Sequence, residues 1–178
     1  PEPDAAETAK RIALLHGYDS DWVLPTAGGI EGIYLAARLF AESKVAVLQP
    51  GFGDYVRAFE ALDNHPFAVD FADLSPIANA DVVIFGNPNN PTGSTLPLGD
   101  LIQRWPNKAW IVDEAFIDFA AKPDDLTVAT ALAAYPNVIL LRSLTKSWRL
   151  PGLRLGYALC SNSRWMWKLR AMQPPWSV

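Results

Sequence analysis

The stretch VILLRSLTKSWRLPGLRLGYAL, residues 138–159, contains two short apolar runs with polar residues between them. Residues 138–141 and 155–159 have the length and composition of buried strands. Between them lie two cations, Lys146 and Arg154, and three hydroxyl side chains, Ser143, Thr145 and Ser147. Polar side chains that follow a core strand directly are typical of a ligand site at the end of that strand.

Outward from this stretch, the same alternation of strands and helices continues and predicts an α/β domain. The predicted strands are residues 22–24, 44–48, 66–69, 81–85, 109–112, 138–141 and 155–159. The predicted helices are residues 4–16, with Asp4 as the cap, then 30–40, 55–62, 98–105, 128–134 and 165–172. Strands that alternate with helices form a mainly parallel sheet covered by helices, so we expect a layered domain.

Composition excludes several functional classes. The chain has 178 residues, 50% of them hydrophobic, which fits one ordered globular domain. The net charge of -4 mixes both signs, so we expect no nucleic-acid partner, and no apolar run is long enough to suggest a membrane span. A single cysteine, Cys160, favours a buried structural thiol and a cytoplasmic location. His16 and His65 have no ligand-like neighbours, so we expect no metal site.

Four of the predicted strands are followed by residues that could carry chemistry. Because the carboxyl ends of parallel strands meet at one edge of a sheet, we expect these residues to lie together. They comprise a glycine-rich helix start (TAGGIEG, residues 26–32), an amide-rich turn (NPNNPTG, residues 87–93), the carboxylates Asp113 and Glu114, and the polar group Ser143, Thr145 and Lys146.

Each of these features also has an ordinary structural explanation. A Gly-Gly helix entry is usually only a turn, although the N–H groups of Gly29 and Ile30 could bind an anion. The turn is neither a Walker loop nor a dinucleotide GxGxxG motif. Asp113 could simply cap the next segment, and Lys146 could be a solvated loop residue.

Taken together, the same groups meet the requirements of one cofactor, pyridoxal phosphate. Its aldehyde forms a Schiff base with a lysine, and its pyridine nitrogen needs a carboxylate to stay protonated. Its phosphate binds helix N–H groups, hydroxyls and an arginine. The lysine, the carboxylate, the hydroxyls and the arginine all occur at the predicted strand ends.

The sequence resembles the fold-type I pyridoxal-phosphate enzymes of the aminotransferase class I/II family. NPNNPTG, VDEAFIDF and SLTKSWRLPGLRLGY match the family signatures in the right order, and so does the eight-residue step from Lys146 to Arg154. The resemblance implies a three-layer αβα fold with a mainly parallel mixed sheet. It also implies that residues 1–178 form the cofactor-binding large domain, with an N-terminal arm and a C-terminal small domain outside this sequence.

The resemblance assigns a role to each matching position. Lys146 is expected to form the Schiff base and to move the substrate proton. Asp113 is expected to pair with the pyridinium nitrogen, and Asn90 to bind the ring's 3-oxygen. Phe52 is expected to stack on the ring, although an ordinary core position is its alternative. The phosphate is expected to bind Gly28, Gly29, Ile30, Ser143, Thr145 and Arg154.

Two departures from the family pattern affect these expectations. Phe116 stands where many relatives have a tyrosine, whose phenol stabilises the ionised 3-oxygen. Relatives also carry a tyrosine just before the segment that matches residues 1–3, and it reaches the partner subunit's phosphate; this tyrosine is missing here. The small domain, with the arginine that binds the substrate carboxylate, is expected to be missing as well.

Within the family, two branches compete. PGFGDYVRAFEA, DEAFIDF, RSLTKSWRLPGLRLGY and the terminal PPWSV are more similar to L-threonine-O-3-phosphate decarboxylases of cobalamin biosynthesis. Histidinol-phosphate or related aminotransferases are the alternative, and a non-catalytic sensor or scaffold is a third possibility from another class. The substrate is expected to be a small, phosphorylated amino acid, and the full-length protein a homodimer.

Overall fold

The computed structural model describes residues 4–147, 149 and 151–178, so the expectation about residues 1–3 lies outside the described part. The described strands are β1 (Val23–Thr26), β2 (Val45–Gln49), β3 (Phe67–Asp70), β4 (Val82–Gly86), β5 (Ala109–Asp113), β6 (Val138–Ser143) and β7 (Gly156–Leu159). The described helices are α1 (Ala6–His16), α2 (Gly28–Leu39), α3 (Asp54–Glu60), α4 (Leu98–Arg104), α5 (Leu144–Ser147) and α6 (Ser163–Met172).

All seven strands form one sheet in the order β1-β7-β6-β5-β4-β2-β3. β7 pairs antiparallel with both β1 and β6, while the other neighbours pair in parallel. The other six strands therefore run in one direction, and the predicted mainly parallel mixed sheet is confirmed. The carboxyl ends of these strands lie at the same edge of the sheet as the beginning of β7.

Two buried clusters cover the two faces of the sheet. Successive residues of β4 point to opposite faces, so that Ile84 belongs to one cluster and Phe85 to the other. The Ile84 side contains buried residues of α2, α3 and α6, and the Phe85 side contains buried residues of α1 and α4. This is the expected three-layer arrangement. Within the described residues, no helix combines the length and the apolar character needed to cross a membrane.

Three predicted elements differ from the structure in their ends or their type. The expected cap of the first helix is wrong, because Ala5 occupies the cap with a left-handed φ of 51°. Asp4 instead accepts a hydrogen bond from the N–H of Ala6 at 3.2 Å. The predicted helix 128–134 is a 3₁₀ segment, Ala129–Ala134, which is kinked at Ala131. α2 begins at Gly28 rather than at residue 30, so both glycines belong to its first turn.

Candidate active site

A cavity of about 310 Å³ opens at the edge of the sheet where β5 and β6 end and β7 begins. Its volume lies at the lower end of the range that is usual for small-molecule sites. All eleven site residues predicted from the sequence line it: Gly28, Gly29, Ile30, Phe52, Asn90, Asp113, Phe116, Ser143, Thr145, Lys146 and Arg154.

Asp113 ends β5 and is one of two carboxylates that line the cavity, the other being Asp54. Its Oδ1 accepts a hydrogen bond from the N–H of Ala115 at 3.0 Å, and its Oδ2 accepts one from the hydroxyl of Tyr55 at 2.9 Å. Burial raises the pKa of Asp113, while these two hydrogen bonds and the charge of Lys146 act in the opposite direction. These favourable interactions do not fully compensate the free-energy cost of desolvating the carboxylate. A cationic hydrogen-bond donor bound in the cavity would offset the remainder.

Lys146 supplies the amine and lies in the single turn of α5, directly after β6. Its Nζ lies 5.8 Å from the centroid of the Phe116 ring. The side chain is exposed, and among the described residues its ammonium makes no hydrogen bond or salt bridge. The amine is therefore accessible to a carbonyl group in the cavity.

The start of α2 also lines the cavity, through Gly28, Gly29 and Ile30. The first turn of a helix carries N–H groups without intrahelical partners, which favour an anion. The buried hydroxyl of Thr26 donates to the carbonyl of Gly28 at 2.9 Å, and the carboxylate of Glu31 accepts from the N–H of Ala27 at 2.7 Å. These two bonds fix the turn that precedes the helix.

Three side chains lie beside this helix start. The hydroxyls of Ser143 and Thr145 lie 2.8 Å apart and are both buried. The guanidinium of Arg154 lies so close to Gly28 that a Cβ added there would be 3.2 Å from its Nη2. Arg154 itself has a φ of 47°, in a left-handed region that non-glycine residues rarely adopt. Strained backbone of this kind is concentrated at functional sites.

β7 begins against this turn, and glycine is required at the contact. A Cβ added at Gly156 would lie 2.7 Å from the carbonyl carbon of Gly28 and 2.8 Å from the nitrogen of Gly29. These atoms belong to the backbone, so they cannot move aside as the end of a side chain can. The single antiparallel strand thus brings Arg154, which precedes it, to the glycine turn.

The three asparagines of the turn NPNNPTG differ in what they contact: two bond to the protein backbone, and one lines the cavity. Asn87 and Asn89 are buried, and their side chains hydrogen-bond to backbone groups. Asn90 is half-buried at the cavity wall, and within the described part of the chain its amide makes no hydrogen bond. Of the three amides, Asn90 is therefore the one available to a ligand.

Two features of the site were missed from the sequence. Tyr55 lines the cavity and donates a hydrogen bond to Asp113; it begins the predicted helix 55–62, and its closeness in sequence to Phe52 was the one signal that could have indicated it. Next to the site, the Nε of Arg142 donates to the fully buried Glu114 at 2.6 Å. This ion pair joins the end of β5 to the end of β6, directly beside Asp113 and Ser143.

Comparison with known proteins gives a consistent result. Residues 1–178 match the family model for aminotransferase class I and II. The chain is 32% identical to the threonine-phosphate decarboxylase of Salmonella typhimurium, over 100% of the chain and 53% of the relative. It is 39% identical to a histidinol-phosphate aminotransferase of Mycobacterium bovis, over 90% of the chain and 45% of the relative.

The fold is also found among solved structures. The L-threonine-O-3-phosphate decarboxylase from Porphyromonas gingivalis superposes with a TM-score of 0.92 and 24% identity, over 100% of this chain and 56% of that one. At this identity the likeness shows the fold alone. The chain spans about half the length of the curated relatives it matches.

Proposed function

The chain belongs to the aminotransferase class I and II family, and from this premise we propose that it forms the pyridoxal-phosphate-binding large domain of an amino-acid-transforming enzyme. The family resemblance and the expected fold are confirmed. The family depends on pyridoxal phosphate. The cavity, its residues and its chemistry support the more specific proposals that follow.

The observation that carries the proposal is that an accessible amine, a half-buried carboxylate and a glycine-rich helix start line one cavity. This donor set fits pyridoxal phosphate, which presents a carbonyl, a basic ring nitrogen and a phosphate. When bound, the cofactor supplies an electron sink for negative charge that develops at the substrate Cα. Each group of the cavity matches one part of this molecule, and the absence of hydrogen-bond partners for Lys146 and Asn90 among the described residues leaves both free to bind it.

The protein side chains would divide the work as follows. Lys146 would hold the cofactor covalently and move a proton at the substrate Cα, because its amine is the accessible base of the cavity. Asp113 would hold a proton on the ring nitrogen. Asn90 would donate to the ring's 3-oxygen, and Phe52 would cover one face of the ring. Phe116 has no hydroxyl and would contact the cofactor by packing alone.

The phosphate would be held by three kinds of donor at the start of α2. They are the N–H groups of Gly28, Gly29 and Ile30, the hydroxyls of Ser143 and Thr145, and the guanidinium of Arg154. A guanidinium suits this role because its fork can bind two phosphate oxygens at once.

For the reaction, we propose decarboxylation of L-threonine-O-3-phosphate, a step of cobalamin biosynthesis, as the first candidate. The segments PGFGDYVRAFEA and DEAFIDF support it. Histidinol-phosphate transamination is the second candidate, supported by the 39% identity to a relative with that name. Carbon dioxide release that needs no keto acid would support decarboxylation, whereas keto-acid-dependent loss of the substrate amine would support transamination. A chain that binds the cofactor but does neither would be a sensor.

The full-length protein is proposed to be a cytoplasmic homodimer. Large apolar side chains are exposed on this chain, among them Leu14 at 81%, Leu15 at 77% and Trp167 at 70%. Apolar surface of this kind usually contacts another domain or subunit. Sedimentation of the full-length protein tests this part of the proposal, and a monomer would contradict it.

Titration with pyridoxal phosphate, followed by visible absorbance, tests the cofactor. A yellow adduct that borohydride fixes on Lys146 is the expected result. Lys146→Ala should abolish the adduct, whereas Lys168→Ala, which removes an exposed lysine of α6, should leave it unchanged. A folded chain that forms no adduct, or the same adduct in both variants, would contradict the proposal.

A further inference from the structure

Tyr55 is a buried residue whose phenol hydroxyl donates a hydrogen bond to Asp113 in the cavity wall. It lies in α3, is 1% exposed, and donates to Oδ2 of Asp113 at 2.9 Å. Burial and the neighbouring carboxylate raise the pKa of Tyr55 well above its usual value, so the phenol keeps its proton and remains a donor. The other carboxylate oxygen accepts from the N–H of Ala115, and together these two donors fix the carboxylate plane.

The hydroxyl of Tyr55 occupies a space that exists because residue 86 is a glycine. The ring packs edge-on against Phe52, with centroids 5.6 Å apart and planes at 82°. At the end of β4, a Cβ added at Gly86 would lie 2.9 Å from the Tyr55 hydroxyl. Any larger residue at position 86 would therefore displace the hydroxyl from the carboxylate.

Packing alone does not require this hydroxyl. A phenylalanine would fill the same space and would avoid burying a polar group. Among the described residues, the hydroxyl bonds to Asp113 alone, and without it Asp113 would keep one donor there, the N–H of Ala115. Two bonds still leave lone pairs on the carboxylate that can accept from a group in the cavity.

We propose that Tyr55 is a positioning residue, whose hydroxyl orients Asp113 and keeps it ionised so that it can accept from a protonated ring nitrogen in the cavity. This inference rests on the proposed cofactor. We expect a substitution of Tyr55 to weaken the interaction at one atom of the ligand, the ring nitrogen. The interactions of the phosphate and the carbonyl should not change.

Binding of two ligands by wild type and Tyr55→Phe tests the proposal. The ligands are pyridoxal phosphate and its 1-deaza analogue, in which a C–H group replaces the ring nitrogen. Loss of a hydrogen bond to a charged group should weaken pyridoxal phosphate binding about tenfold. The analogue has no nitrogen for Asp113 to hold, so its affinity should change less than about twofold on the same scale.

Tyr135→Phe is the matched control, because Tyr135 packs against the cluster on the opposite face of the sheet. It should leave both affinities unchanged. Equal pyridoxal phosphate affinity in wild type and Tyr55→Phe would overturn the inference alone. An equal loss for both ligands would also overturn it, since that pattern indicates a purely structural role. If the wild type bound no pyridoxal phosphate, the proposed function and the inference would both fail.

A measurement on the cofactor-free chain separates the two proposals. The carboxyl carbon of Asp113 can be titrated by NMR in wild type, Tyr55→Phe and Gly86→Ala. Both substitutions should raise the titration midpoint, the first by removing the hydroxyl and the second by displacing it. A midpoint that is the same in all three folded chains would overturn the positioning role, whatever the cofactor does.

Discussion

Asp113 is a half-buried carboxylate in the cavity wall. The next residue, Glu114, is also a buried carboxylate, and burial raises the pKa of both. Arg142 compensates Glu114 directly, whereas Asp113 has only hydrogen bonds and the more distant charge of Lys146. The two adjacent acids therefore differ: Glu114 joins two strands through Arg142, and Asp113 is the acid that we propose binds the cofactor.

This difference predicts that Asp113→Asn stabilises the cofactor-free chain. Because the folded pKa of Asp113 is raised, stability falls as pH rises from the ordinary carboxyl pKa to the folded value, and the loss is complete above it. Asparagine has no charge, so the folded chain pays no desolvation cost for an ionised side chain at this position. We expect a gain of up to about 1 kcal/mol at pH 8, or roughly 3 °C in melting temperature, and a smaller gain at pH 4.

Thermal denaturation at the two pH values, followed by circular dichroism, measures this effect. Asp124→Asn is the control, because Asp124 is exposed and its removal should change the melting temperature little. The same variant should bind pyridoxal phosphate more weakly than wild type. A less stable Asp113→Asn chain at pH 8 would contradict the desolvation of this carboxylate.

At the scale of elements, the close contact between β7 and the start of α2 positions the backbone that we propose binds the phosphate. Gly156→Ala would force a methyl group against the backbone of Gly28 and Gly29. We expect a loss of about 2–3 kcal/mol in the free energy of unfolding, which is typical of overpacking, and weaker binding of inorganic phosphate.

Gly152→Ala provides a matched comparison for Gly156→Ala. A Cβ added at Gly152 would meet no atom of the described residues within 4 Å, so this variant should unfold within about 0.5 kcal/mol of wild type. Urea denaturation of the two variants measures the difference. Equal stability of both would show that the turn can move away, and would remove the reason for a glycine at position 156.

Sequence patterns could predict the strand cores and the polar groups that follow them, and the family resemblance added the remaining cavity residues, such as Phe52 and Phe116. They could not predict the bond between Tyr55 and Asp113, which joins residues from different elements. Nor does an apolar run of four or five residues reveal its neighbours, so the antiparallel placement of β7 between β1 and β6 was not foreseeable. The kink at Ala131 depends on packing in the same way.

At the scale of the whole molecule, the labelling rate of Cys160 measures how readily the sheet opens. It directly follows β7, its side chain is fully buried, and burial raises the pKa of its thiol to about 12. Because it is the only cysteine, labelling is specific. A native thiol with this pKa should react with a disulfide reagent at pH 8 about a thousandfold more slowly than the thiol of the urea-unfolded chain. Cys160→Ser gives the background rate, and native labelling within tenfold of the unfolded rate would contradict the buried position.

The pairing of β1 with β7 also has a consequence for synthesis. β1 ends at Thr26, but the strand that pairs with it begins at Gly156, about 130 residues later. At ordinary rates of translation this interval is on the order of ten seconds. During that time an apolar strand on the nascent chain has no neighbour, and the helix start that follows it has no support from Gly156. The cavity is therefore among the last parts of this domain to form on the ribosome, and this waiting period is when a chaperone would bind the chain.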